Sequence, residues 1–179
     1  SHTFQRALTG FGENQSQSNK DDSFWTWRES MYALANQLNA EQLYNIARQA
    51  FMEMLQAGYT SVAEFHYLHH DKEGRVTFAM ADAIILAARD TGIRLRLLPV
   101  LYMRGGFALP AQPEHFRFVT SSLSQYCKLL EHCRKHTSTG IAPHSLRAVP
   151  IEHFPKLVKY AGAILGNKFP IHIHIAEQK

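Results

Sequence analysis

Strand patterns and helix patterns alternate along this chain, and the alternation limits the folds that it can adopt. Short runs of β-branched and aliphatic residues are separated by longer segments with apolar residues at helical spacing. The strand patterns cover residues 60–66, 93–102, 140–144 and 170–176, and the helix patterns cover residues 28–38, 40–57, 78–91, 121–136 and 150–165. Strands that are joined by helical crossovers run parallel, so the sequence predicts an α/β fold.

Two parallel architectures fit this alternation, a doubly wound open sheet and a (β/α)8 barrel. In barrels, functional residues lie at the C-terminal ends of several strands. Polar residues suited to chemistry occupy this end of each predicted strand: Glu64, His66, Tyr102, His144, His174 and Glu177. A dinucleotide-binding open sheet would favour a glycine-rich phosphate loop after a strand, and the sequence has none. We therefore predict a partial (β/α)8 TIM-type barrel with four strands visible in full.

Composition argues against several classes of function. The chain has 179 residues, 45% of them hydrophobic, which is enough for one folded domain, and no apolar run is long enough to cross a bilayer. The net charge is +4, but the lysines and arginines are scattered, which disfavours nucleic-acid binding and suits a small anionic substrate. Cys127 and Cys133 lie on different faces of a predicted helix, and free thiols indicate a reducing cytoplasm.

The last ten residues combine a strand pattern with candidate ligands for a metal. Isoleucines alternate there with His172 and His174, so the two histidines point to the same face. His174 at the strand end can bind a metal, and Glu177, one short turn further, can move protons. His172 lies one layer deeper and is predicted to be structural. From these residues alone, a hydrogen-bonded interior histidine and a surface glutamate remain the alternatives.

Five segments taken together resemble one enzyme family. They cover residues 1–7, 22–29, 57–67, 144–149 and 172–178. The first is similar to the tail of the His-x-His segment that ends the first barrel strand in the amidohydrolase superfamily, with His2 as its second histidine. This resemblance implies that the chain runs from the end of the first barrel strand through the fifth. His-x-His and His-x-x-Glu indicate only that superfamily. Their combination with residues 4–7 (Phe-Gln-Arg-Ala) and 144–147 (His-Ser-Leu-Arg) resembles the formimidoylglutamate deiminases.

The resemblance implies hydrolysis of N-formimino-L-glutamate to N-formyl-L-glutamate and ammonia, a step of histidine degradation. It implies one divalent metal, usually zinc, with His2 and His174 as ligands and Glu177 as the proton shuttle. The implied substrate-binding residues are Gln5, Tyr67, His144 and Arg147. An arginine there suits a substrate with two carboxylates, because its planar fork matches a carboxylate.

The resemblance also predicts that the site in this chain is incomplete. The family's remaining site residues, a histidine and an aspartate from later strands, are expected beyond Lys179. The chain opens on Ser1-His2 without a methionine, so we expect residues 1–179 to be the N-terminal part of a catalytic barrel domain, truncated at both ends and inactive alone. For the complete protein we expect a cytoplasmic homodimer that binds a small substrate with carboxylates, and neither nucleic acid nor membrane.

Two alternatives of other classes stay open. Another deaminase of the superfamily could act on a guanine-like or related amidine, and a neutral base needs no arginine for a carboxylate. A metal-free half-barrel could serve as a binding or scaffold module. The sequence also leaves open whether Trp25 and Trp27 lie near the barrel mouth or simply pack.

Overall fold

The computed structural model describes residues 1–10 and 24–176, with the backbone alone at 24–26. Its α-helices and strands are α1 (Phe24–Gln37), α2 (Ala40–Gln56), β1 (Ser61–His66), α3 (Ala79–Thr91), β2 (Arg94–Leu101), α4 (Leu123–His136), β3 (Ser138–Thr139), β4 (Ala142–Pro143) and α5 (Phe154–Leu165). Short 3-10 turns lie at Thr3–Leu8, Pro113–His115 and Ile151–His153. The predicted alternation of strands and helices is confirmed, and α1 begins earlier than the pattern indicated.

The strands form one parallel sheet in chain order. All six residues of β1 pair with β2, from Ser61 with Arg94 onward, and β2 pairs in turn with β3 and β4. The chain start lies along the other side of β1, where the N–H of Phe65 donates to the carbonyl of Ser1 at 2.9 Å. Strands that follow one another in space and in sequence, with helices between them, are the arrangement of a (β/α)8 barrel.

The strand patterns near the end of the chain are shorter in the structure than predicted. Within the predicted strand 140–144 only β4 forms, with the two-residue β3 just before it, and the segment 170–176 pairs through a single parallel bridge from Ile171 to Ile141. Backbone hydrogen bonds continue this pairing, from the N–H of His174 to the carbonyl of His144 at 2.9 Å. His172, predicted to be an interior structural residue, is exposed.

Helix ends and buried faces explain the layer that covers the sheet. Asn39 caps α2: its side chain accepts from the N–H of Gln42, and the side chain of Gln42 accepts from the N–H of Asn39. This pair forms a capping box. Gly92 ends α3 in the left-handed conformation, at φ 80°. The buried faces of α1, α2 and α3 form the larger core with β1 and β2, and α4 and α5 form a second core around Leu101.

Two predictions from composition can be compared with the structure directly. Both cysteines are free, with Cys133 buried and Cys127 partly buried, as their helical spacing predicted. In the part of the chain that the structure describes, no helix is both long and apolar enough to span a bilayer.

Candidate active site

Two imidazoles from opposite ends of the chain meet in the structure. The Nε2 atoms of His2 and His174 are 3.3 Å apart. His2 directly follows Ser1, whose carbonyl pairs with β1. His174 makes the last backbone hydrogen bond of its segment, to the carbonyl of His144. The ring of Phe65, at the end of β1, packs against both, with ring centroids 5.1 Å from His2 and 4.3 Å from His174. The sheet therefore brings its first and last described edges to one point.

Hydrogen bonding and burial prepare His2 to act as a ligand. Its Nδ1 lies 3.1 Å from the carbonyl oxygen of Phe65. A carbonyl can only accept, so Nδ1 carries the proton and the lone pair of Nε2 faces His174. Burial lowers the pKa of His2 below 6.5, against the opposing effects of the Phe65 carbonyl and the Glu64 carboxylate. The neutral ring, oriented by a backbone oxygen, is the form that binds metals.

The spacing of the two nitrogens fits a divalent metal. Two nitrogens at about 2.0–2.1 Å from a tetrahedral zinc lie about 3.3–3.4 Å from each other. His2 and His174 meet this distance without rearrangement. Within residues 1–10 and 24–176 there is no group of three histidine, cysteine or acidic side chains able to hold an ion. The pair could therefore hold a metal only together with at least one further ligand.

His144 lies beside this pair. Its ring centroid is 4.8 Å from that of His174, and its Nδ1 is 3.1 Å from the hydroxyl of Ser145. Burial, together with the nearby His174 and Arg147, lowers the pKa of His144 well below 6.5. His144 is therefore a neutral imidazole at physiological pH, able to exchange hydrogen bonds with a ligand.

Arg147 is held in place by hydrogen bonds on two sides. Its Nη1 donates to the hydroxyl of Tyr102 at 3.1 Å and to the carbonyl of Gly105 at 3.2 Å. The guanidinium of Arg104 donates to the carbonyls of Leu146 and Arg147, both at 2.9 Å, and so fixes the backbone that carries it. A guanidinium fixed in this way loses little side-chain entropy when it binds a carboxylate.

Gln5 and Tyr67 form a pair next to His2. The side-chain amide of Gln5 donates to the hydroxyl of Tyr67 at 2.8 Å, and the ring of Tyr67 lies 5.6 Å from that of His2. The buried carboxylate of Glu64 holds this turn, because it accepts from the N–H and the hydroxyl of Thr3, both at 2.8 Å. Glu64 thus anchors the chain start, although its place at a strand end had made it a candidate for chemistry.

One cavity of about 250 Å³ joins these groups. Its walls include six residues that the sequence predicted for the site: His2, Gln5, Tyr67, His144, Arg147 and His174. Tyr102 also lines it. Glu177, the predicted proton shuttle, lies outside the described residues.

One wall of this cavity consists of residues that the sequence did not predict for the site. Helix α1 contributes Trp27, Arg28, Met31 and Tyr32, and Phe118 contributes from the loop after β2. The guanidinium of Arg28 lies 5.1 Å from the ring centroid of Tyr32. Positions 27, 28, 31 and 32 share one helical face, so their spacing was a usable indication. For Trp27 the sequence allowed a position near the barrel mouth or simple packing, and the structure places it in the cavity wall.

The parallel strands and the paired histidines at their C-terminal ends are features of a (β/α)8-barrel family, and comparisons with known proteins identify which one. Residues 9–179 match the sequence profile of the amidohydrolase family, and the chain belongs to that family. It is 45% identical over 188 aligned positions to the formimidoylglutamate deiminase of Pseudomonas aeruginosa. That alignment includes 100% of this chain and 40% of the relative, so the chain spans well under half of the relative's length.

Solved structures agree on the fold. A crystal structure of an amidohydrolase from Brucella melitensis superposes with a TM-score of 0.86 at 40% identity, over 99% of this chain and 40% of that one. A mutant atrazine chlorohydrolase from Arthrobacter aurescens TC1, complexed with zinc and atraton, superposes with a TM-score of 0.68 at 17% identity, over 97% of this chain and 39% of that one. The predicted partial barrel is confirmed.

Proposed function

We propose that the complete protein removes the imino group of N-formimino-L-glutamate by hydrolysis, giving N-formyl-L-glutamate and ammonia. The observation that carries the proposal is the 3.3 Å spacing of the His2 and His174 nitrogens in a cavity that two arginines also line. The similarity to the formimidoylglutamate deiminase of Pseudomonas aeruginosa supports this choice of substrate. No comparable observation favours a guanine-like base, which would leave both arginines without a carboxylate.

The proposed metal is a single divalent ion, and zinc is our choice. His2 and His174 would hold it, together with ligands outside the described residues. A divalent ion at such a site makes water a better nucleophile at neutral pH. The neutral state of His2 favours binding, because a protonated imidazole has no lone pair to donate.

The cavity residues divide between the two ends of the substrate in this proposal. Arg147 and Arg28 bind the carboxylates. Both guanidinium groups act on Tyr32, where their positive charges oppose the rise in its pKa that burial causes, so both lie near the same end of the cavity. Gln5 and Tyr67, beside His2, hold the formimino group. His144 contributes a neutral hydrogen-bonding ring between the two ends.

The proton balance requires an acid next to the leaving nitrogen. Water adds its oxygen to the formimino carbon, the carbon–nitrogen bond breaks, and the nitrogen leaves as ammonia after gaining protons. We assign this transfer to Glu177, which follows His174 by three residues. A carboxylate in this role typically contributes about 10²–10⁴-fold to the rate.

The experiment measures ammonia release by the full-length protein from N-formimino-L-glutamate and from guanine. Arg147→Ala should raise KM for formiminoglutamate about 10–100-fold, because a hydrogen bond to a charged group contributes about 1.5–3 kcal/mol. Arg89→Ala, which removes an exposed arginine on α3 outside the cavity, is the matched control and should leave KM unchanged. An unchanged KM in Arg147→Ala, or turnover of guanine alone, contradicts the proposal.

A further inference from the structure

A buried arginine outside the cavity joins three segments that line it. Arg117, in the loop between β2 and α4, is 2% exposed. Its Nε donates to the carbonyl of His70 at 2.8 Å, its Nη1 to that of Ala35 at 2.7 Å, and its Nη2 to that of Leu38 at 2.8 Å. Its own carbonyl accepts the N–H groups of His69 and His70.

The charge of Arg117 is compensated by the backbone. Its three side-chain hydrogen bonds all go to carbonyl oxygens, and two of these, of Ala35 and Leu38, lie in and just after the last turn of α1, where the helix dipole favours a cation. Residues of opposite charge, Asp71 and Glu73, act on it only from a distance, and burial lowers its pKa. A buried guanidinium held in this way is costly to form and sensitive to small displacements of its partners.

Each segment that Arg117 contacts carries part of the cavity wall. Helix α1 carries Arg28 and Tyr32, the segment before His70 carries Tyr67, and Phe118 directly follows Arg117. Helix α1 packs on the short turns Thr3–Leu8 and Pro113–His115. Its C-terminal end is fixed by the hydrogen bonds from Arg117 together with the burial of Ala35 and Leu38 in the larger core.

We propose that Arg117 is a positioning residue for substrate binding, which sets the place of α1 and, through it, of Arg28. This proposal rests on the proposed function, in which Arg28 binds a carboxylate. An arginine is required because its planar fork directs donors to three carbonyls at once, whereas the single ammonium of a lysine cannot span them. Loss of the fork moves the α1 wall while the His2 and His174 pair, on other segments, stays in place.

The test uses Arg117→Lys and Arg117→Met in the full-length protein, with Leu130→Ala as the control. Leu130 is buried in the second core, away from α1, so its truncation lowers stability without touching the cavity wall. We expect both Arg117 variants to raise KM for formiminoglutamate about 10–100-fold, with kcat within about threefold, because a displaced binding group costs this much. Leu130→Ala should leave KM unchanged.

A double-mutant cycle identifies the residue through which Arg117 acts. In an Arg28→Ala background, Arg117→Lys should raise KM no further, because the group that it positions is already gone. Independent, multiplying effects on KM would overturn the proposal. So would a general loss of folding in Arg117→Lys, which would make Arg117 a residue of overall stability.

Amide hydrogen exchange separates this proposal from the proposed function. The amides of α1 should exchange faster in both Arg117 variants than in the native protein, and Leu130→Ala should leave them unchanged. This readout needs no substrate. If the native protein does not turn over formiminoglutamate, the proposed function fails while the exchange pattern still tests Arg117, and unchanged exchange in α1 overturns the positioning role.

Discussion

The hydroxyl of Tyr102 is a single group on which the position of Arg147 depends. It accepts from Nη1 of Arg147 at 3.1 Å, and its ring lies 4.8 Å from that of His144. Tyr102→Phe removes the acceptor and keeps the ring. We expect KM for formiminoglutamate to rise about threefold to tenfold, since one hydrogen bond contributes about 1 kcal/mol, while kcat changes little. Steady-state kinetics of the full-length protein measure both.

Tyr126 offers a matched control for this substitution. It is fully buried, and its hydroxyl donates to the carbonyl of Pro99 at 2.6 Å, in the second core and outside the cavity. Tyr126→Phe also removes one hydrogen bond, so it should lower the free energy of unfolding about as much as Tyr102→Phe does. It should leave KM unchanged. An equal rise of KM in both variants would show that lost stability, and not the orientation of Arg147, is the cause.

At the scale of single residues, motifs singled out the two histidines that meet and left one wall of the cavity unpredicted. The pattern of His174 after a strand, with the resemblance at His2, predicted two metal ligands, and the structure brings the Nε2 atoms of these residues to 3.3 Å. Arg28 was missed because the helical spacing of positions 27, 28, 31 and 32 shows that they share a face but not which strand end that face covers. Glu64 was suggested by its position, yet its carboxylate holds the turn after Ser1.

Gly140 permits the close approach of the segment that carries His174. A Cβ at this position would lie 2.6 Å from Cγ of Pro170 and 2.7 Å from both its carbonyl oxygen and Cδ2 of Leu98. Gly140→Ala should therefore lower the free energy of unfolding by about 1–3 kcal/mol, the usual cost of overpacking. Urea unfolding of the full-length protein measures this change.

Gly162, inside α5, is the control for the glycine substitution. A Cβ there would meet no other atom within 4 Å. Gly162→Ala should stabilise the protein by about 0.5–1 kcal/mol, because alanine favours the helix interior. If Gly140→Ala is equally well tolerated, the segment 170–174 is not held against Gly140 and Leu98 as the structure has it.

At the scale of elements, the sequence predicted the kind and order of the strands better than their extent. The alternation of isoleucines and histidines predicted a strand over residues 170–176, but among the described residues its backbone hydrogen bonds reach only Ile141 and His144. Strand length depends on partners, and period two describes only one chain. Ile175, predicted to share one strand face with Ile171 and Ile173, lies beyond this pairing and is 80% exposed.

In the molecule as a whole, the sheet brings the start of the chain and its last paired segment to the same point. Neither histidine of the metal pair is near the other in sequence, and no local pattern predicts their distance; the barrel fold does, because parallel strands in chain order curve around one axis. That curvature also buries a layer of histidines behind β1. The rings of His66 and His69 are 5.1 Å apart, and Nε2 of His69 lies 2.8 Å from the carbonyl of Val100.

These buried histidines make the stability of the whole molecule depend on pH. Burial lowers the pKa of His66 to about 4 and that of His69 well below 6.5. Below about pH 6.5, the ordinary histidine pKa, the unfolded chain binds protons that the folded protein excludes. The free energy of unfolding should therefore be highest above pH 6.5 and fall as the pH drops toward 4. Urea unfolding at pH 7.5 and pH 5 measures the difference.

His66→Gln should reduce this difference by about 2 kcal/mol, at about 1.4 kcal/mol for each pH unit between 6.5 and 5. His66 is buried, and its Nε2 has no hydrogen-bond partner in the described part of the chain to stabilise a charged ring. His136→Gln, at the exposed end of α4, should leave the difference unchanged. An undiminished difference in His66→Gln would mean that other groups, and not this buried ring, exclude the protons.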